Sequence, residues 1–231
     1  MIFFKKLFFL YKSNAIFLVY IIFIKNKFKN IFIKKKIKQF KRQHQIFLKS
    51  KNITHDYFSS HAYNFKEIFV NYNHFSYLEI GSFEGNSAIF VANNFPNSEI
   101  HCIDNWIGTE EYKDLHFLNI EKNFNKNIEL FKNIKKYKMT SDNFFLENNK
   151  KFDVIYIDGY HKGYQVLKDF KNSWKILKKN GVLIFDDFIW KFFEKIEDNP
   201  CYVINAYLRV IYKEIKILKV SNSQLFIKKL T

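Results

Sequence analysis

Glu79-Ile80-Gly81-Ser82-Phe83-Glu84-Gly85 stands between an apolar run typical of a buried strand (residues 76–80) and a run that predicts a helix (residues 85–94). Its two glycines allow the backbone to turn sharply and to approach a ligand closely. A strand, a glycine turn and a helix in this order predict a site for a nucleotide-like cofactor.

The chemistry of this turn argues against a phosphate-bearing cofactor. Phe83 stands where a dinucleotide fingerprint has its middle glycine, and Glu84 would repel a pyrophosphate. S-adenosylmethionine has no phosphate and carries a cationic sulfonium, so acidic residues suit it. Asp104 ends the next predicted strand (residues 99–103) and would accept both ribose hydroxyls, while Ser87 would donate to the methionine carboxylate. The alternative is an ordinary tight turn.

Two further stretches of the sequence place acidic residues at the ends of predicted strands. Asp158 follows the predicted strand 152–157, and Asp186 with Asp187 follows the strand 182–185. The ends of neighbouring parallel strands lie about 5 Å apart, and carboxylates so close need a proton or a cation among them. Oxygen ligands favour Mg²⁺, and His161 would lie beside it as a general base. The alternative is that these carboxylates cap strands and that His161 is a surface loop residue.

Charge is concentrated at the N-terminus. Residues 1–50 contain 13 Lys and Arg and no acidic residue, whereas the remainder contains 25 basic and 22 acidic residues. Only two of the basic residues are arginine, the side chain that base and phosphate recognition favours, so the +16 net charge is poor support for nucleic-acid binding.

The chain is predicted to divide near residue 50, into an extension (residues 1–50) and a folded domain (residues 51–231). The longest apolar run of the extension, residues 15–24, is far shorter than the roughly 20 residues of a membrane span. Lysines between apolar blocks favour a helix that lies on an anionic membrane surface through residues 1–40. The alternative is an extension that only packs on the core or is partly disordered.

Beyond residue 50, predicted strands and helices alternate, which indicates a parallel sheet with helices on both faces. The predicted helices are residues 64–70, 85–94, 112–131, 164–177 and 203–212. The predicted strands are residues 76–80, 99–103, 135–139, 152–157 and 182–185, followed by a hairpin of residues 214–220 and 224–228.

Residues 77–190 resemble a class I S-adenosylmethionine-dependent methyltransferase, most closely the metal-dependent sugar O-methyltransferase branch and more distantly catechol O-methyltransferase. The resemblance implies a Rossmann-like, doubly wound α/β fold with a seven-stranded, mostly parallel sheet whose last strand is antiparallel. It implies metal ligands at Asp158, Asp186 and Asp187 and a catalytic base at His161. The implied cofactor contacts are Glu79, Gly81, Ser82, Gly85, Ser87, Asp104, Ser141 and Asp142.

We therefore predict a cytoplasmic Mg²⁺-dependent enzyme that O-methylates a saccharide or another small diol and is held at the inner face of the membrane. A metal-independent methyltransferase acting on another acceptor is one alternative. A non-catalytic, membrane-associated module with the same fold is the other. Residues 188–199 are where acceptor specificity is expected.

Overall fold

A computed structural model gives the fold of residues 2–112 and 117–231. The helices are α1 (Ile2–Lys12), α2 (Phe17–Phe32), α3 (Lys34–Leu48), α4 (Ala62–Ile68), α5 (Asn86–Asn94), α6 (Phe117–Ile128), α7 (Ser141–Glu147), α8 (Gly163–Ile176) and α9 (Pro200–Val210). The strands are β1 (Ser76–Ile80), β2 (Glu99–Asp104), β3 (Ile134–Lys138), β4 (Phe152–Ile157), β5 (Leu177–Phe185), β6 (Ile215–Val220) and β7 (Leu225–Lys229). Short 3₁₀ turns cover Glu110–Tyr112, Ile196–Asp198 and Tyr212–Glu214.

The strands form a seven-stranded sheet in the order β3-β2-β1-β4-β5-β7-β6. The chain forms two compact units, one of Met1–Ile31 with Asn149–Thr231 and the other of Phe32–Asn148. The predicted division near residue 50 stays a prediction. In the unit of Phe32–Asn148, a hydrogen bond joins α3 to the start of α5, next to the glycine turn. It links His44 Nε2 to Asn86 Oδ1 at 2.8 Å.

In the unit of Phe32–Asn148, β1 pairs with β2 and β2 with β3, both in parallel. Four of the five residues of β1 are buried, as are all residues of α5 from Asn86 to Ala92. Strands buried on both faces have continuous apolar runs, which is why the predicted bounds of β1 are confirmed and those of β2 differ by one residue; the edge strand β3 is shifted by one residue at each end.

In the other unit, β4 and β5 are parallel, and β7 runs antiparallel to both β5 and β6. The predicted terminal hairpin and antiparallel last strand are therefore confirmed. Ser221 closes the turn between β6 and β7, since its backbone N–H donates to the Gln224 carbonyl at 2.8 Å and its Oγ accepts from Gln224 N at 2.8 Å.

Most other predicted boundaries differ from the structure by one to three residues, and the larger differences concern β5, α7 and α6. β5 begins at Leu177 rather than residue 182, because Leu177 already pairs with Phe152, although polar residues follow it. Helix α7 was not predicted; it is polar and begins with the Thr140 side chain, whose Oγ1 accepts from Asn143 N at 3.3 Å. The predicted helix 112–131 corresponds to α6, and its residues 113–116 lie outside the described residues.

The predicted N-terminal helical extension is present as α1, α2 and α3. Helices α1 and α2 are attached to the hairpin and to α9. Lys6 Nζ donates to the Asn222 carbonyl, Asn26 Nδ2 donates to the Val220 carbonyl at 3.3 Å, and Arg209 donates to the Asn14 carbonyl. Within the described residues, no helix has the length and apolar character needed to cross a membrane.

Candidate active site

The glycine turn joins β1 to α5 and depends on residues with positive φ. Gly81 and Gly85 have φ values of 84° and 81°, in the left-handed region that favours glycine. A Cβ added to Gly85 would lie 3.0 Å from a ring carbon of Phe124. The turn is closed by hydrogen bonds from Gly81 N to the Ile103 carbonyl at 2.8 Å and from Gly85 N to the Ser82 carbonyl at 2.7 Å.

Asp104, at the end of β2, holds this turn in place. Its Oδ2 accepts from Ser82 N at 3.0 Å and from Phe83 N at 2.9 Å, and its Oδ1 accepts from Trp106 N at 2.8 Å. Burial raises the pKa of Asp104, and these backbone donors oppose that effect. Asp104 is half-buried, and its predicted contact with ribose hydroxyls stays a prediction.

Glu79, near the end of β1, is fully buried beneath the turn. The Tyr77 hydroxyl donates to Glu79 Oε2 at 2.9 Å. Among the described residues, no hydrogen bond of good geometry reaches Glu79 Oε1 or Ser82 Oγ, although the Ser87 and Ser82 side chains lie close enough to the Glu79 carboxyl to lower its pKa. Burial raises the pKa of Glu79 to about 7. Unsatisfied polar atoms are rare in protein interiors and call for an explanation, of which a bound ligand is one.

Three further predicted cofactor residues belong to the same unit. Ser87 is buried in the first turn of α5, and Ser141 and Asp142 are half-buried at the start of α7. Met139 N donates to the Asp104 carbonyl at 3.1 Å, which ties the segment before α7 to the end of β2. The structure therefore places the start of α7 beside the end of β2. The contacts of Ser87, Ser141 and Asp142 with a cofactor stay predictions.

Glu84 has a structural role that the sequence did not reveal. It is 1% exposed and points into the protein rather than toward the solvent. Its carboxylate accepts hydrogen bonds from Thr54 N at 2.7 Å, Thr54 Oγ1 at 2.6 Å, His55 N at 3.1 Å and Asn123 Nδ2 at 2.8 Å. Glu84 thus fastens the segment after α3 and helix α6 to the glycine turn.

The acidic cluster lies at the ends of β4 and β5. Asp158 follows β4, and the His161 ring reaches between two carboxylates, with its Nε2 3.5 Å from Asp158 Oδ1 and 3.6 Å from Asp187 Oδ2. One ligand atom from each of Asp158, His161 and Asp187 lies within 4.8 Å of the other two. His161 is only 4% exposed. This donor set suits a divalent cation or a protonated imidazole.

Asp186 does not belong to that group of three, and its carboxylate accepts hydrogen bonds from other donors. Its Oδ1 accepts from Asp187 N at 2.8 Å, and its Oδ2 accepts from the Tyr156 hydroxyl and from Gln224 Nε2 at 3.3 Å. The structure thus brings two of the three predicted metal ligands together with the predicted base and directs the third inward. Sequence reasoning did not identify Tyr156 or Gln224.

The Tyr156 hydroxyl also lies 3.0 Å from Asp158 Oδ2, so it is shared between two carboxylates. A hydroxyl has one proton and can satisfy only one carboxylate as a donor. Burial raises the pKa of Asp158 well above its usual range, and the charges of Asp186 and Asp187 add to this effect. A cation at this cluster would offset the repulsion between the carboxylates.

Trp190 covers one side of the cluster. Its ring packs edge-on against His161 with centroids 5.3 Å apart, its backbone N–H donates to the Asp187 carbonyl at 2.9 Å, and it stacks on Phe192 at 5.1 Å. Asp187 has a φ of 47°, a left-handed conformation that begins this loop. This loop belongs to the segment 188–199 in which acceptor specificity is expected, and that assignment stays a prediction.

Comparison with known proteins defines the class. Residues 78–188, which contain both the glycine turn and the acidic cluster, match the family model described as a methyltransferase domain. The predicted resemblance of this stretch to the methyltransferases is confirmed, and so is the Rossmann-like fold.

One curated protein matches part of the chain. The chain is 31% identical over 120 residues to Uncharacterized protein R132 of Acanthamoeba polyphaga mimivirus, a match that covers 49% of this chain and 51% of that protein. The chain thus spans about half the length of the curated relative that it matches.

Solved structures share the fold at low identity. A putative caffeoyl-CoA O-methyltransferase from Staphylococcus aureus has a TM-score of 0.57 and 15% identity, over 89% of this chain and 99% of that one. The MycE methyltransferase of the mycinamycin biosynthetic pathway, solved with Mg, SAH and mycinamycin VI, has a TM-score of 0.56 and 16% identity, over 84% of this chain and 54% of that one.

Proposed function

We propose that this chain transfers a methyl group from S-adenosylmethionine to a hydroxyl of a saccharide or another small diol, with the help of Mg²⁺. The observation that carries the proposal is the meeting of Asp158, His161 and Asp187 in one cluster, within a methyltransferase domain. The presence of Mg and SAH in the complex of the similar MycE methyltransferase supports it.

The glycine turn fits the methyl donor. Glu79 and Ser82 offer buried polar atoms at the turn, and Gly81 and Gly85, whose positive φ values favour glycine, present no side chain there. Acidic side chains suit the cationic sulfonium of S-adenosylmethionine. This donor has no phosphate that Glu79 or Asp104 would repel. The residues proposed to hold the donor are Glu79, Gly81, Ser82, Gly85, Ser87, Asp104, Ser141 and Asp142.

The acidic cluster fits a divalent cation. Asp158 and Asp187 would hold it, and Asp186 remains the third proposed ligand, although its carboxylate accepts hydrogen bonds from Tyr156 and Gln224 in this structure. When bound, Mg²⁺ would polarise the oxygens of a vicinal diol and lower the pKa of the hydroxyl. Two adjacent oxygens suit Mg²⁺, which usually completes its shell with water or substrate oxygens.

His161 is the proposed base, with its Nε2 as the atom that accepts the proton of the acceptor hydroxyl. Asp158 and Asp187 flank this nitrogen at 3.5 Å and 3.6 Å, and their negative charge would stabilise the imidazolium that results. The edge-on Trp190 ring limits the ring positions open to His161 and shields it from water. A fixed, desolvated base of this kind contributes about 10²–10⁴-fold to a rate.

Methyl transfer from labelled S-adenosylmethionine to a panel of vicinal diols tests the proposal. We expect turnover with Mg²⁺, loss of turnover in EDTA, and loss in Asp158→Asn. Asp153→Asn is the matched control, because Asp153 lies near the other end of β4, where it pairs with Lys178 at 2.8 Å. Full turnover in EDTA would instead favour the metal-independent methyltransferase. Absence of turnover and of donor binding would favour the non-catalytic module, which the comparisons do not support.

A membrane surface remains the proposed partner of residues 1–40, in addition to the small-molecule or saccharide acceptor. It would place the enzyme at the cytoplasmic face of the membrane, the side on which its methyl donor is made.

A further inference from the structure

Helix α1 exposes large apolar side chains on the side that faces away from the protein. Phe4, Phe8 and Tyr11 are 72%, 60% and 70% exposed, whereas Leu10 is fully buried. The spacing of the exposed residues, four and three positions apart, places them on one helix face.

Helix α2 continues this pattern over its whole length. Five of its seven exposed large apolar residues recur at intervals of three or four, which makes one stripe, while Val19 and Phe23 are buried. The stripe consists of Phe17, Ile21, Ile24, Phe28 and Ile31. We call this stripe and the exposed residues of α1 (Phe4, Phe8 and Tyr11) the N-terminal apolar face.

The N-terminal apolar face is held by tertiary contacts. Phe3 of α1 stacks on Phe23 of α2 with ring centroids 5.7 Å apart. Hydrogen bonds join both helices to the β6–β7 hairpin, through Lys6 and Asn26. A soluble monomer rarely exposes so many aromatic and branched side chains in one patch, so a partner is expected to cover it.

The charges around this face indicate which partner that is. Exposed lysines flank the apolar stripe on both helices, at Lys5, Lys12, Lys25 and Lys29, and residues 1–50 contain no acidic side chain. Two copies of the chain packed through this face would bring lysines against lysines, and the resulting repulsion disfavours a dimer. An anionic bilayer matches both features, because its head groups attract the lysines and its acyl boundary accepts the aromatic rings.

We propose that the N-terminal apolar face docks on an anionic membrane surface, with α1 and α2 lying in the plane of the interface. The docked helices would bring the acidic cluster near that surface. Lys6 donates to the Asn222 carbonyl, and the neighbouring Ser223 carbonyl accepts from Phe188 N at 2.6 Å, one residue after Asp187. If the proposed function holds, the acceptor is an amphiphile whose hydroxyls project from the membrane.

Vesicle co-sedimentation of the full chain tests the docking surface. The probes are vesicles of phosphatidylcholine with phosphatidylglycerol, and vesicles of phosphatidylcholine alone. Phe8→Glu combined with Phe28→Glu removes two anchors from the face. Leu130→Glu combined with Leu146→Glu is the matched control, because those leucines are 82% and 85% exposed elsewhere on the protein.

We expect the wild type and the control to bind the anionic vesicles, with binding that high salt weakens, and the double phenylalanine variant to bind at least about tenfold more weakly. Circular dichroism verifies that each variant is folded. Equal binding of all three proteins, or no wild-type binding, would overturn the proposal. A wild-type dimer in light scattering that the phenylalanine variant disrupts, without vesicle binding, would also overturn it. Sedimentation does not depend on methyl transfer, so its failure is separate from a failure of the proposed enzyme activity.

Discussion

Replacing Glu79 by glutamine should change how the stability of the protein depends on pH. Glu79 is fully buried, and burial raises its pKa from the ordinary value of 4.5 to about 7. The folded protein therefore keeps this proton at pH values where the unfolded chain has lost it. Because the folded state binds more protons, the stability that Glu79 contributes is complete below pH 4.5 and is lost as the pH rises to about 7.

The size of this effect follows from the two pKa values. The pKa of Glu79 rises by about 2.5 pH units, and at about 1.4 kcal/mol per unit this corresponds to roughly 3 kcal/mol. Glutamine stays neutral at every pH and can still bond with the Tyr77 hydroxyl. The free energy of unfolding of Glu79→Gln should thus gain about 3 kcal/mol relative to the wild type between pH 4.5 and pH 7, and stay level above pH 7.

Urea unfolding of both proteins at a series of pH values measures this difference. All other titrating groups are common to the two proteins, so the difference between their curves isolates Glu79. Glu147→Gln, at an exposed position of α7, is the matched control and should follow the wild type. Parallel curves for Glu79→Gln and the wild type would refute the reasoning, since they would mean that folding leaves the pKa of the Glu79 carboxyl unchanged.

Three further changes test the cofactor and acid sites. Asp104→Asn should weaken S-adenosylmethionine binding by about 1.5–3 kcal/mol in calorimetry, because a charged acceptor is lost, and an unchanged affinity would contradict the ribose contact. His161→Ala should lower turnover by about 10²–10⁴-fold without weakening donor binding, because the general base is lost. His74→Ala, at an exposed position, is the control. Loss of donor binding in His161→Ala would mean that His161 is not the base. Gly85→Ala should lower the free energy of unfolding by about 1–2 kcal/mol, because its φ is 81° and its Cβ would press on Phe124; a neutral effect would show that the turn adapts.

Much of the fold could be predicted because its signals are local. The apolar runs of β1 and β4 gave their bounds, since strands buried on both faces carry few polar residues. Gly81 and Gly85 predicted a turn, and both have positive φ in the structure. Helix α7 escaped prediction because it is short and has one buried residue, Phe144, so no apolar periodicity marks it.

The site was harder to predict where it depends on contacts distant in sequence. The partners of Glu84 come from Thr54, His55 and Asn123, which no local pattern relates to the glycine turn. Asp186 and Asp187 are adjacent, yet one points inward to Tyr156 and Gln224 and the other toward His161. Strand-end spacing predicts that carboxylates gather, but the side-chain directions depend on the left-handed backbone at Asp187.

Anomalous diffraction from crystals grown with SAH and Mn²⁺, a scattering substitute for Mg²⁺, is the most direct test of the proposed metal-dependent active site. We expect SAH at the glycine turn and one Mn²⁺ peak about 2.1 Å from carboxylate oxygens of Asp158 and Asp187. In Asp158→Asn crystals the peak should be lost while SAH remains. A peak elsewhere, or no peak with SAH bound, would contradict the metal site, and absence of SAH from the turn would contradict the methyltransferase function itself.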